Sequence, residues 1–403
     1  MRCRTMKQRK PAPGRALKGL GFVLGTVLSF VAPPAAFAQP EPSAGARQLA
    51  LGGAGTALRG QPWDVANPAA LDGLDRPRFS MAVAGASVER RERFSAGGGV
   101  ESQTFNDRWV RPSFLGLAWP LGRATVAAHL AERDYDHRDR GIFESFSTTG
   151  GRRLRLQEVA LTAAVRPTRW LSLGGRLGRE RLSIDASTIF PITVGRQGVP
   201  SVFEWEQDAS DAQTSVGLGV ILSSERFSAA FAWSRGIDSF VLPYTRSESF
   251  PTLSLVFTGV GEDVHWIPGQ WRAGATWRPQ RRLLLAGDYV NNGPFASWGI
   301  TQPCVVFSPP APTDYCRPLG PFSLPYGRAG EDLRAGGEFE LKGGATPLFL
   351  RGGFSHTWLD LESETWGGLG LGVVFRGRLH ADVGARFSAN ATQVILSVSY
   401  ALR

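Results

Sequence analysis

The sequence predicts an all-β chain closed into a transmembrane antiparallel β-barrel of about 14 strands, with an N-terminal plug inside the lumen. Three observations carry this expectation: an export-type leader, period-two hydrophobic alternation through most of the chain, and a regular exchange of short turns with long connections.

Residues 1–18 hold Arg2, Arg4, Lys7, Arg9, Lys10, Arg15 and Lys18 and no acid. An apolar run from Leu20 to about Ala32 follows, then Ala36-Phe37-Ala38 ahead of Gln39. This is the layout of a cleaved signal peptide. The alternative, a membrane anchor, is disfavoured because the run is short and Pro33 and Pro34 break it. The expected organisation is a signal peptide at 1–38, a plug segment at 39–77 and a barrel at 78–403. The formal charge is +10, and the leader's seven basic residues account for all but +3 of it. No nucleic-acid partner is therefore expected. Cys304 and Cys316 stand twelve apart in a Pro-rich stretch, which in an exported chain suggests a disulfide, with two free thiols as the alternative.

Strands are expected at 78–90, 110–120, 123–133, 154–166, 169–182, 212–223, 226–235, 270–278, 281–291, 331–342, 346–357, 365–376, 378–388 and 391–402. The last shows the pattern well: Thr392, Val394, Leu396, Val398, Tyr400 and Leu402 share one face, while Gln393, Ser397 and Ser399 share the other with Ile395 and Ala401. Most candidates are near ten residues or longer, the length needed to cross a bilayer at a tilt (roughly 9–11 residues). "PLGR", "RPTR", "SSER", "RPQRR", "KGGATP" and "RGR" mark short turns, and the intervening connections are mostly long. Outer-membrane barrels show this asymmetry and an even strand count. Trp119, Trp170 and Trp277 fall at short-turn ends, and Trp109, Trp233, Trp358 and Trp366 at long-loop ends, as two aromatic girdles would require. A soluble sandwich or propeller is the competing architecture, but no 40–50-residue repeat stands out.

With the apolar faces toward lipid, Glu158, Arg176, Arg272, Asp288, Arg334, Glu338, Glu340, Arg351, Asp382 and Arg386 point into the lumen. An arginine on the lipid side at mid-depth would cost about 2–4 kcal/mol. The mixed signs suggest ion pairs bracing plug and wall; a charged path for a polar head group is the alternative. Glycines such as Gly174, Gly175, Gly367, Gly368 and Gly370 could open the wall laterally. The charge-dense stretch Arg133 to Arg140 is a solvated loop tip that could also meet lipopolysaccharide phosphates. The five histidines show no metal-ligand spacing, and Ser355 and His356, adjacent on a strand, face opposite sides. No enzyme activity, metal or cofactor is expected.

The stretch before the first strand, "GGAGTALRGQPWDVANPAAL", is dense in Gly and Ala, carries Trp63, and turns at Asn67-Pro68. Such a segment can pack closely inside a barrel too wide for its own side chains to fill, although a periplasmic linker would share the composition. With its flank it resembles the N-terminal signature of the FadL-type outer-membrane transporters and their PorV/PorQ relatives, through Gly52-Gly53-Ala54, Pro62-Trp63-Asp64 and Asn67-Pro68-Ala69. The resemblance covers about 27 residues; the shortened spacer and the lack of a Gly after Asn-Pro-Ala depart from the pattern. It implies a fourteen-stranded barrel with an N-terminal plug, residence in the outer membrane among lipid and lipopolysaccharide, and passive uptake of a hydrophobic small molecule, long-chain fatty-acid-like or aromatic. The PorV/PorQ side of the resemblance implies instead a secretion component that binds exported protein partners. Gly52, Gly53, Trp63, Asp64, Asn67 and Pro68 are the expected plug and gate residues.

Overall fold

In the computed structural model the described residues are 45–61, 66–96, 99–143, 148–194, 199–250, 255–267, 269–292, 297–302, 304–305, 315–316, 330–359, 362–389 and 391–402. Fourteen strands form a closed wall. They are β1 (Arg78–Ala96), β2 (Gly99–Leu121), β3 (Ala124–Phe143), β4 (Thr148–Val165), β5 (Leu171–Val194), β6 (Val199–Ser223) and β7 (Phe227–Ser234), followed by β10 (Gln270–Gln280) and β11 (Leu283–Asn292). The wall is completed by β15 (Gly330–Lys342), β16 (Leu348–Leu359), β17 (Glu362–Phe375), β18 (Leu379–Phe387) and β19 (Ala391–Ala401). Each pairs antiparallel with the next, β7 with β10 and β11 with β15 included. The register Arg78↔Ala401 through Val88↔Ala391 joins β19 to β1 and closes the cylinder. All fourteen expected strands are present, most within a few residues of the expected turn-side ends.

The outer ends differ from expectation. Strands β2 to β6 run 18–25 residues, well past the apolar stretch each was recognised by. Where β7 stops, β8 (Ile237–Phe250) takes its place beside the outer half of β6. A hairpin partner, β9 (Leu255–Ile267), and then β12 (Ser297–Gln302) extend this flap. A separate two-residue pair, β13 (Cys304–Val305) and β14 (Tyr315–Cys316), places Cys304 and Cys316 in direct register.

The two faces separate as the alternation requires. Outward stand Leu115, Leu117, Val126, Leu130, Val159, Leu161, Leu173, Leu177, Leu369, Leu396 and many like them, all more than a third exposed. So continuous an apolar belt is a surface for lipid rather than water. On β19, Gln393, Ile395, Ser397, Ser399 and Ala401 are buried inside. Trp119, Trp170, Trp233, Trp277 and Trp358 lie outward and exposed near strand ends, but two of the expected girdle residues do not. Trp366 is buried in the lumen under the Arg386 guanidinium. Trp109 also turns inward, against the Ala84–Phe114–Ile395 cluster. Its cause is a bulge: Ala82 pairs with Phe114 and Val83 with Pro112, so Ser113 is an extra residue that turns Arg111 and Trp109 to the opposite face.

Candidate functional site

The lumen is occupied by the N-terminal segment. Helix α1 (Ala46–Ala50) ends on Gly52 and Gly53, both at positive φ (69° and 87°). Gly53 N donates to Gln48 O at 2.7 Å and Gly52 N to Leu49 O at 3.1 Å, the paired bonds of a Schellman termination, so the glycine pair is there to stop the helix. Ahead of a 3₁₀ turn, Pro68–Leu71, Asn67 accepts from Ala69 N at 3.1 Å. Its Nδ2 donates to Thr56 O at 2.6 Å, pinning the two halves of the segment together. Pro68 supplies the preset φ of the first turn position. Pro62, Trp63 and Asp64 lie outside the described residues.

Wall glycines receive this backbone. A Cβ at Gly353 would sit 2.2 Å from the Leu51 carbonyl carbon, at Gly384 2.2 Å from Ala46 O, at Gly174 2.3 Å from Ala69 N, and at Gly219 2.0 Å from Asn67 Oδ1. Gly368 and Gly370 face Ala50 in the same way. Of the glycines expected to thin the wall, Gly174, Gly368 and Gly370 are therefore seats for the segment. Gly175 and Gly367 lie on the lipid face beside Leu218 and Phe387.

Polar groups fix the segment in register. Arg47 donates from Nε and Nη2 to Glu338, both at 2.8 Å. Arg351 bonds the same carboxylate at 2.7 Å and Asp382 at 2.7 Å. Asp288 Oδ2 accepts from Gly55 N, Thr56 N and Thr56 Oγ at 2.7, 2.8 and 2.8 Å. At the short-turn end, Asp72 takes Arg59 at 2.5 Å, Arg166 at 3.6 Å and the Ser172 hydroxyl. Buried charges held this way need every partner, since a stranded one is costly. Counting packed clusters and close approaches together, every one of the fourteen wall strands meets the segment. Ala82 and Ala84, Phe114, Ala131 and Ile395 share one buried cluster with Ala46 and Leu49, and Ala118, Ala127 and Ala164 share another with Leu71 and Leu74. Ile221 and Ala230 lie with Ala57, Leu284 with Leu58, and Gly274 against Thr56.

The remaining expected lumenal charges bond to residues of the wall. Glu158 takes Ser215 Oγ at 2.9 Å and Arg176 at 3.2 Å, with His129 at 4.0 Å. Arg334 pairs with Asp332 at 2.5 Å and lies over Gly53. Arg386 donates to Gln393 at 2.7 Å. Arg272, half-buried, donates to Gln270 at 2.6 Å, and Glu340 is half-buried near the short-turn end. Ser355 is buried, whereas His356 on the opposite face is bonded to Thr365 Oγ at 2.8 Å, so the two form no catalytic pair. Among the described residues no group of three or more His, Cys, Asp or Glu is arranged to hold a metal.

The wall does have an unpaired stretch, and it is not at a glycine. The β2–β3 ladder runs from Leu121↔Ala124 only to Phe114↔Ala131, although both strands continue outward. Past that point, among the described residues, β2 pairs with β1 alone and β3 with β4 alone. Both edges bulge at this level, at Ser113 on β2 and at Arg133 on β3. Pro112 has no N–H to give a ladder, which favours an open edge. Glu132 spans the notch, paired with Arg111 from β2 and at 3.6 Å with Arg155 from β4. The proline inside an alternating run was the sequence signal for this break. The residues that anchor the segment, Arg47, Thr56, Arg59 and Asp72, carried no signal of their own.

No family model and no curated protein matches the sequence. Solved structures do match in fold. The Ralstonia pickettii toluene transporter TbuX aligns with TM-score 0.67 and 15% identity, over 89% of this chain and 98% of that one. The P. putida toluene transporter TodX gives 0.69 and 14%, over 89% and 98%. A Pseudomonas aeruginosa FadL homologue gives 0.69 and 12%, over 90% and 99%. The likeness is one of fold: this chain is built as a FadL-type barrel.

Proposed function

We propose that the chain is an outer-membrane channel for passive uptake of hydrophobic small molecules, closed at rest by residues 45–77 acting as a plug. The observation that carries this reading is that one segment meets all fourteen wall strands, which supports its acting as a plug in a barrel too wide for its own side chains to fill. Its FadL-type fold supports the same reading, since the matching structures are described as toluene transporters and a FadL homologue. Between the flap and the outer parts of β4 and β5, Leu156, Leu182, Ile184, Phe240 and Leu242 form an apolar cluster on the inner side, which makes the outer entrance hydrophobic above the charged lumen. The β2–β3 notch, at the outer margin of the lipid belt, supplies a way out through the wall that avoids the buried charges below. No energy source or cofactor enters the scheme.

Removing residues 39–70 from the chain tests the plug, with conductance of the reconstituted barrel as the readout. A rise is expected, and unchanged conductance would show that the segment does not close the lumen. Uptake of toluene and of a long-chain fatty acid into vesicles carrying the intact protein tests the substrate class. Entry no faster than through empty vesicles would refute uptake of hydrophobes.

A further inference from the structure

We propose that the outer surface of strands β2–β6 holds a specific site for a phosphorylated outer-leaflet glycolipid, with an acyl chain in a groove and phosphate on a row of arginines just above it. The groove is a depression of about 610 Å³ on the lipid face, rimmed by Leu161, Leu177 and Leu218 outward and by Trp119 toward the short turns. It exists because small residues on consecutive strands interrupt the row of large outward ones. Ala128 on β3 lies opposite Leu161, and Ala163 on β4 lies opposite Gly175 on β5. Nothing but Leu218 Cδ2, at 4.0 Å, comes near the space where a Gly175 side chain would be. A depression of this depth in an apolar belt is filled by a chain lying in it, not by bulk solvent.

The charge above the groove is ordered. Leu177 closes the apolar run of outward residues on β5, and the next two outward residues are Arg179 and Arg181, both exposed. On β7 the outward residue after Trp233 is Arg235, also exposed, and its N–H bonds Val216 O across from β6. Arg179 lies opposite Thr214, and Arg181 opposite Ala212, so no acid faces either across the ladder. Asp211 feels the Arg179 charge and also accepts from Val241 N at 3.1 Å, Ala212 N at 2.7 Å and Gln213 at 3.1 Å, while Arg181 donates to Ser210 Oγ at 2.8 Å, so both arginines are held in place by light, exchangeable contacts at the exposed face. Asp185, Glu204, Glu206 and Asp208, the outward acids of these two strands, stand further from the belt. Cations next to the apolar edge with acids beyond them match a bilayer's own order, acyl chain, then phosphate, then sugar. Four strand residues separate Gly175 from Arg179, roughly 13 Å of rise. One lipid can therefore span both. Arginine is suited to this role because its planar fork meets phosphate in two parallel bonds.

The test is native mass spectrometry of the intact barrel in nanodiscs of neutral phospholipid doped with bisphosphorylated lipid A or with its dephosphorylated form. The wild-type protein should retain the phosphorylated form at least tenfold better. Arg179→Gln with Arg181→Gln should abolish that preference, while Gly175→Leu should lower retention of both forms by filling the groove. Equal retention of the two forms by the wild type, or a preference untouched by the double Arg variant, would overturn the proposal. Ala163→Val stands in for Gly175→Leu should the latter fail to fold. The site lies outside the lumen, so hydrocarbon uptake by the Arg variant should match the wild type, and the uptake reading can fail without affecting this one.

Discussion

Asp288 is the most concentrated attachment between plug and wall, and its removal gives the sharpest prediction. One carboxylate oxygen accepts from two main-chain amides and a hydroxyl, at 2.7–2.8 Å. The opposing residue on β10 is Gly274, where any Cβ would lie 2.1 Å from Asp288 Oδ1, so the wall is cut away to let the carboxylate turn inward. Asp288→Ala strands the Gly55 and Thr56 amides in a buried setting, at about 1–3 kcal/mol each, and loses the charge-assisted hydroxyl bond as well. With some relief from entering water, the total is about 3–6 kcal/mol, or roughly 10²–10⁴ in the equilibrium for local release of the segment. Hydrogen exchange of the 46–61 peptide reads that equilibrium directly. Its exchange should quicken by at least a hundredfold, with Asp288→Asn falling between, because an amide oxygen still accepts. Glu158→Gln, at a carboxylate that meets Ser215, Arg176 and His129 of the wall, should leave that peptide within threefold of the wild type. An Asp288→Ala protein with unchanged exchange would refute the view that this carboxylate holds the plug.

Three further outcomes follow from particular contacts. Gly353→Ala should loosen the same peptide and lower thermal stability by about 1–3 kcal/mol through overpacking against Leu51, while Gly344→Ala, with no neighbour within 4 Å, should lose only the left-handed backbone penalty of about 1–2 kcal/mol. Glu132→Gln removes the charge that draws Arg111 and Arg155 together, so hydrocarbon exit into the bilayer should change several-fold with plug exchange unaffected; identical uptake would argue against the notch as the exit. Cys304 and Cys316, opposite one another along β13 and β14, should show no reactive thiol under denaturing, non-reducing conditions, and two after reduction.

The wall was legible because a barrel strand in lipid obeys a local rule. Each of the fourteen segments had to alternate apolar with polar or small, and each short turn had to be closed by residues such as Gly122 or the Arg376–Gly377 pair. Facing followed from the same rule, which is why Glu158, Arg176, Asp288, Glu338, Arg351, Asp382 and Arg386 all lie inside. The rule fails where a single residue shifts the phase. Ser113 sends Trp109 from the expected girdle into the lumen, and no alternation pattern read without a partner strand could place that bulge. The wall glycines were visible as glycines, but not as seats, because what they accommodate is a backbone more than a hundred residues away in sequence.

By itself, then, the sequence determined the architecture: the strand count, the turn sides, the lipid and lumen faces, and an N-terminal Gly-Gly and Asn-Pro punctuation suited to close packing. Those features rest on interactions within a strand or a turn, so they survive reading one segment at a time. Only the tertiary structure decided which carboxylate holds which part of the plug, where the β2–β3 ladder gives out, and which small residues on neighbouring strands line up to form a groove. Each of these depends on register between strands and on contacts across the lumen, and register is set when the whole cylinder closes.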